Sequence, residues 1–217
     1  MNSSGDFFHG FADAFDTIYD GKRSRFMQWV DRKFRSDMFR RFDKSFEYLG
    51  DLTGKTVLDV GCGSGPYIVE ALKRGAKKVI GVDPAPRMLE LASGRLSAAS
   101  MRDRAELVTG FFPEAASKIG QPANFAIVMG VMDYVDDPAA FLKGLRNAVT
   151  EAAVLSFPSR HWFRTPARKV RYRLRNCPLY FYDDKRIREL LTAAGFSRVE
   201  ITKLPGAGMD YVAKGIR

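Results

Sequence analysis

Cysteine and histidine are scarce in this chain, with two of each among 217 residues. Cys62 and Cys177 make no disulfide framework. His9 and His161 join no cluster of Asp, Glu or Cys at metal-ligand spacing, so no metal is expected. Long apolar runs are missing as well. A membrane helix needs about 18 apolar residues, and the longest run here, near Phe125 to Met132, has the length of a buried strand. The opening MNSSGDFFHG lacks a basic region followed by an apolar one, so no secretory signal is read and a cytoplasmic protein is the simplest expectation. Internal repeats and low-complexity segments are absent too.

What is present can build a core. Hydrophobic residues make up 46% of the chain, enough for one domain with a small addition. The formal charge is +10, which favours anionic partners without choosing among nucleic acid, membrane surface and small acids. The most ordered pattern runs from Thr56 to Ala92, TVLDVGCGSGPYIVEALKRGAKKVIGVDPAPRMLELA. It reads as strand, glycine turn, helix, strand, acidic residue, helix. Gly61, Gly63 and Gly65 sit where side chains would obstruct a turn and where a ligand can approach the backbone. Pro66 suits the first helical position, where a missing N–H costs nothing. Lys78 to Val82 is a second buried strand with Asp83 at its carboxyl end. Ligands of open parallel sheets bind beyond those ends.

A dinucleotide turn would run G-x-G-x-x-G, but here the glycines run G-x-G-x-G and Pro66 holds the sixth position. The whole string, with V-L-D-V before the turn and V-D-P after it, resembles the class I S-adenosylmethionine (SAM) dependent methyltransferases, over roughly residues 54–160. The resemblance implies a Rossmann-like α/β fold with a mostly parallel seven-stranded sheet, helices on both faces and the last strand antiparallel. It implies SAM as cofactor and S-adenosylhomocysteine as product. Gly61, Cys62, Gly63 and Gly65 would pass under the methionine part, with Asp59 close by. Asp83, beside Pro84, would accept hydrogen bonds from both ribose hydroxyls, and Met88 would border the adenosine. Gly110 and Phe111 follow the third strand, where many relatives place an acid for the adenine amino group; here the ring of Phe111 would stack instead. Met129 and Gly130 end the fourth strand, Asn124 to Gly130, and complete the predicted cofactor set.

Towards the N-terminus, residues 1–50 read as a helical cap and residues 51–217 as the methyltransferase domain. Phe15 and Tyr19 resemble an aromatic element that closes over SAM, or they belong to a stripe packed on the sheet. Residues 22–49 place apolar side chains at helical spacing beside many Arg and Lys, whose simplest reading is a solvated basic face. Further on, Ala139 to Val149 is expected to be helical, Ala152 to Phe157 the fifth strand, Asp183 to Ala194 a capped helix, and Val199 to Leu204 with Met209 to Ala213 a hairpin.

Residues 159–182 fit none of the sheet's pattern: SRHWFRTPARKVRYRLRNCPLYFY. Arg160, Arg164, Arg168, Lys169, Arg171, Arg173 and Arg175 alternate with aromatic and apolar residues and meet no acid up to residue 175. In the resembled fold this connection lies beside the transferred methyl group. Guanidinium groups bind carboxylate or phosphate in bidentate fashion. The expectation is therefore a small, anionic or amphiphilic acceptor methylated at oxygen, or docking at an anionic membrane surface; a solvated helix is the plainer alternative. The connection also resembles that of magnesium-protoporphyrin and ubiquinone-pathway O-methyltransferases, whose acceptors carry acids or lipid tails. His161 is the candidate base, with Tyr134 and Asp133 as candidates for positioning the acceptor. A nucleic-acid methyltransferase is the rival reading, yet no N/D-P-P-Y stretch and no Pro-Cys nucleophile occur. A SAM-binding partner protein without catalysis is the third.

Overall fold

The computed structural model describes residues 39–159, 180–205 and 210–217. Within them, helix α1 occupies residues 39–49. Then follow β1 (Thr56–Val60), α2 (Pro66–Lys73), β2 (Lys78–Asp83), α3 (Pro86–Ala98), β3 (Ala105–Thr109), β4 (Ala123–Val128), α4 (Pro138–Asn147), β5 (Val149–Phe157), α5 (Asp184–Ala193), β6 (Arg198–Lys203) and β7 (Tyr211–Ile216). The seven strands form one sheet in the order β3-β2-β1-β4-β5-β7-β6. Pairings from β3 to β5 are parallel, while β7 runs antiparallel to both β5 and β6. The seven-stranded sheet with one reversed strand is the expected architecture.

Local chemistry explains the element ends. Gly65 caps α2 in a left-handed conformation with φ 79°, and Pro66 follows at the first helical position. Asp137 caps α4 by accepting from the amides of Ala139 and Ala140 at 3.1 and 3.0 Å, and Asp183 caps α5 through the amide of Arg186 at 2.8 Å. Several boundaries differ from the sequence-based expectation. The fourth strand stops at Val128, before Gly130, whose φ of +73° no strand adopts. Helix α4 ends at Asn147, and Val149 already pairs with Ala123, so the fifth strand begins three residues early. The last strand is shifted toward the C-terminus, because Tyr211–Ile216 pairs along its length with both β5 and β6.

Alternation along the strands divides the core into two layers. Val57, Phe125 and Ile127 pack with Ile68 and Leu72 of α2, Leu89 and Leu96 of α3, and Phe46 and Leu49 of α1. Leu58, Val60 and Ala126 pack on the other side with Phe141, Leu142 and Leu145 of α4 and Ile187, Leu190 and Leu191 of α5. Helix α1 thus shares the core of the sheet. Among the described residues no helix is long and apolar enough to cross a membrane. Strand order reverses between β1 and β4, which opens a crevice at their carboxyl ends.

Candidate functional site

That crevice is a cavity of about 680 Å³. The first wall is the turn after β1. The amides of Gly61 and Cys62 donate to the carbonyl of Val82 at 2.8 and 3.1 Å, which ties the turn to the tip of β2. Gly63 has φ +53°, and a Cβ built there would meet nothing within 4 Å, so its backbone faces open space. Gly61 differs: a Cβ there would collide with Val131. At Gly81, a Cβ would strike Ile68 and lie 3.0 Å from the sulfur of Cys62. The absence of a side chain therefore lets α2 and the turn seat on β2.

Asp83 organises the turn. Its Oδ2 accepts from the amide of Gly63 and its Oδ1 from the amide of Ala85, both at 2.9 Å. A carboxylate offers about four lone-pair directions, so two acceptor positions remain. Burial pushes this carboxyl up, while the two amide bonds pull it down. Asp59 sits one strand over with the opposite provision. It is 1% exposed, and its Oδ2 has no hydrogen-bond partner. Burial, and then the neighbouring charge of Asp83, push its carboxyl up to about 8. The Cys62 thiol is raised too, by burial and then by the two carboxylates, which leaves it a packing residue.

Asp59, Gly61, Cys62, Gly63, Asp83, Pro84, Met88, Gly110, Phe111, Met129, Gly130 and Tyr134 all line this one cavity. Gly65 does not; it caps α2 behind the turn. Tyr19, Phe15 and His161 lie outside the described residues, as does the basic run from Arg160 onward. The described flanks of that run nevertheless meet, because the amide of Tyr182 donates to the carbonyl of Pro158 at 2.9 Å. The stretch that follows it packs on the cavity's far wall. The amide of Tyr180 donates to the carbonyl of Asp133 at 3.0 Å, its hydroxyl to Asp136 Oδ1 at 2.9 Å, and the Tyr182 hydroxyl to the carbonyl of Met132 at 3.2 Å. Burial pushes the Tyr182 phenol up to about 12.

Sequence reasoning missed Arg41. It was counted among solvated basic residues, yet its guanidinium lines the cavity from α1. Its Nε is buried without a hydrogen-bond partner, and Nη1 stands 3.8 Å from Asp210 Oδ2. Burial would lower its pKa, but Tyr67, Asp210 and Asp133 outweigh that and hold it charged. The hydroxyl of Ser45 fixes the helix here, donating to the Arg41 carbonyl at 2.6 Å and lying 3.3 Å from the sulfur of Met129. No spacing distinguishes Arg41 from its basic neighbours; only tertiary packing does. The cavity's charge was also not foreseen. Asp59, Asp83, Glu114, Asp133, Asp136 and Asp137 line it, against Arg41 as the single cation among the described residues.

Comparison with known proteins bears on the family and the fold. A family model described as a methyltransferase domain matches residues 34–201. The chain is 34% identical over 125 residues to the tRNA U34 carboxymethyltransferase of Idiomarina loihiensis, covering 56% of this chain and 37% of that protein. It is 38% identical over 101 residues to the ribosomal protein L11 methyltransferase of Tolumonas auensis, covering 46% and 32%. The chain thus spans about a third of the length of the curated relatives it matches. Among solved structures, magnesium protoporphyrin IX methyltransferase from Synechocystis with bound S-adenosylhomocysteine superposes with a TM-score of 0.79 at 22% identity, over 100% of both chains. At that identity the likeness speaks for the fold.

Proposed function

Since this chain belongs to the family of methyltransferase domains, we propose that it transfers a methyl group from SAM to the oxygen of a small, anionic or amphiphilic acceptor. The observation that carries the donor assignment is Asp83. Two backbone amides fix its carboxylate at the cavity wall and leave it acceptor capacity for two ribose hydroxyls. Such charge-assisted bonds are worth roughly 1.5–3 kcal/mol each. Met88 and Phe111 border the adenosine on that side. The donor then runs past the Gly61 to Gly63 backbone toward Gly130, with Arg41 at the far end for its carboxylate. The orphaned Nε of Arg41 and the orphaned Oδ2 of Asp59 are a complementary pair for an amino-acid end carrying one charge of each sign.

When bound, the donor supplies an electrophilic methyl on a good leaving group. The protein's task is to hold the acceptor oxygen in line at about 3–3.5 Å. Tyr134 and Asp133, on the far wall, serve this positioning. A carboxylate acceptor needs no proton removed, whereas a hydroxyl acceptor needs a base, the role proposed for His161. The anionic character of the acceptor rests on the run of Arg and Lys between residues 159 and 175.

RNA is the second reading, favoured by the 34% identity to a tRNA-modifying enzyme and by the net charge of +10. The acidic lining at Glu114, Asp136 and Asp137 gives neither a phosphate backbone nor an acidic group of a small acceptor a counterpart among the described residues, so it does not choose between the two readings. Methylation of fractionated cell extract with methyl-labelled SAM separates the readings. Label is expected in the lipid or small-molecule fraction. Label confined to RNA would overturn the acceptor assignment, and label in no fraction would overturn the transfer itself.

A further inference from the structure

The acceptor's side of the cavity carries negative charge and little to offset it. Asp133 is 8% exposed, and Asp136 and Asp137 follow it on the same loop and line the same cavity. The Asp133 carboxylate acts on the guanidinium of Arg41 and on the phenol of Tyr182, so it stands between the donor's end of the cavity and the far wall. Arg41 is the single cation lining the cavity among the described residues, and it is shared. Asp210 Oδ2 lies 3.8 Å from its Nη1, Tyr67 and Asp133 act on it, and the reading above gives it the donor's carboxylate. The Tyr180 hydroxyl donates to Asp136 and the Tyr182 hydroxyl to the carbonyl of Met132, so both are engaged. A neutral hydroxyl enters such a place without charge repulsion. A carboxylate would bring a further negative charge beside Asp133 and Asp136, where partial burial strengthens the repulsion.

We propose that the oxygen methylated is that of a neutral hydroxyl, and that Asp133 sets this choice by turning carboxylates away. The inference rests on the transfer proposed above and narrows its acceptor to alcohols and phenols. Any acid on the acceptor then lies away from the oxygen that reacts. In the step itself, the acceptor oxygen bonds to the methyl carbon. The carbon–sulfur bond breaks with its electron pair left on sulfur, and the O–H proton goes to the base proposed above. Selection of this kind works against the wrong partner and needs no new bond to the right one.

The full chain, methyl-tritiated SAM and the lipid and small-molecule fractions of cell extract supply the labelled product. Mild alkali hydrolyses a methyl ester and releases its label as volatile methanol. A methyl ether keeps its label in alkali, and hot hydriodic acid then frees it as methyl iodide. The expected label is stable to alkali and released by the acid. Label released as methanol overturns the inference and leaves the transfer standing; label that survives both treatments, on nitrogen or carbon, overturns it as well. Label in no fraction is a different failure, which removes the transfer and the inference with it. Asp133→Asn, given the same fractions, should raise the alkali-released share about tenfold. If that buried variant does not fold, Asp136→Asn, at an exposed position, takes its place, with an expected rise of about threefold. An unchanged share in the folded variant overturns the role given to Asp133.

Discussion

The two walls of the cavity are built in opposite ways. The donor wall is mostly one continuous stretch, Thr56 to Ala92, and backbone amides fix its shape: Gly61 and Cys62 donate to the carbonyl of Val82, and Gly63 and Ala85 to the carboxylate of Asp83. The proposed acceptor wall is gathered from residues 131–137 and from Tyr180 and Tyr182, and two tyrosine hydroxyls join its pieces alongside one backbone bond, Tyr180 to Asp133. A wall of backbone tolerates many side chains and suits a constant ligand. A wall of side chains from distant segments can change its ligand without disturbing the fold. The contrast predicts that substitutions on the donor wall weaken donor binding, and that substitutions on the acceptor wall leave it alone.

Asp83→Ala is the severest test. It removes the proposed partner of both ribose hydroxyls and the acceptor for two turn amides, so donor affinity should fall by roughly a hundredfold to a thousandfold, about 3–4 kcal/mol. Calorimetry with S-adenosylhomocysteine reads this. An unchanged dissociation constant, with the melting transition intact, would break the donor assignment.

Arg41→Ala comes next. Its guanidinium reaches the cavity from α1, with Nη1 3.9 Å from where a Cβ on Gly130 would stand. One charge-assisted contact should be worth about 2 kcal/mol, a loss of roughly thirtyfold in donor affinity, with Arg41→Lys recovering part of it. If acceptor KM rises instead and donor affinity holds, Arg41 belongs to the acceptor wall and the boundary between the walls must move.

This residue shows where the sequence stops being legible. The β1–turn–α2–β2 unit could be read because every determinant lies within forty positions and glycine, proline and aspartate each have local meaning. The reversed hairpin could be read from Pro205 and the two apolar runs flanking it. Helical spacing identified the apolar face of residues 39–49, and Phe46 and Leu49 of that face are buried, while Phe39 at its start is exposed. It could not tell which of Arg40, Arg41 and Lys44 turns inward. Arg40 reaches the carbonyl of Pro205 and Lys44 pairs with Glu47, so only tertiary contact separates them from Arg41. Strand ends at Val128 and Val149 were misjudged for a related reason. Pairing with neighbours decides them, and apolar residues continue past both.

A smaller effect distinguishes the two carboxylates of the donor wall through stability. Asp59 is raised to about 8 in the folded protein, against about 4 unfolded. Between those values the folded state holds the extra proton, so Asp59 costs stability progressively as pH rises from about 4 to 8 and costs nothing at the acid end. Asp59→Asn should therefore raise the melting temperature by several degrees at pH 8 and by clearly less at pH 5, with little change at pH 4 and below. An equal shift at both pH values would mean that the carboxyl is ionised throughout.

The mildest change probes the other wall. Tyr180→Phe deletes only the hydroxyl that donates to Asp136 Oδ1, at a residue 37% exposed. The amide bond from Tyr180 to the Asp133 carbonyl survives, so the chain stays in place. What is lost is one bond to the loop that carries Tyr134, about 0.5–1 kcal/mol. Acceptor KM should rise about threefold while S-adenosylhomocysteine binds as before. A comparable loss in donor affinity would mean that loosening residues 131–137 reaches Gly61 through Val131, the side chain packed against it. The two walls would then be one mechanical unit.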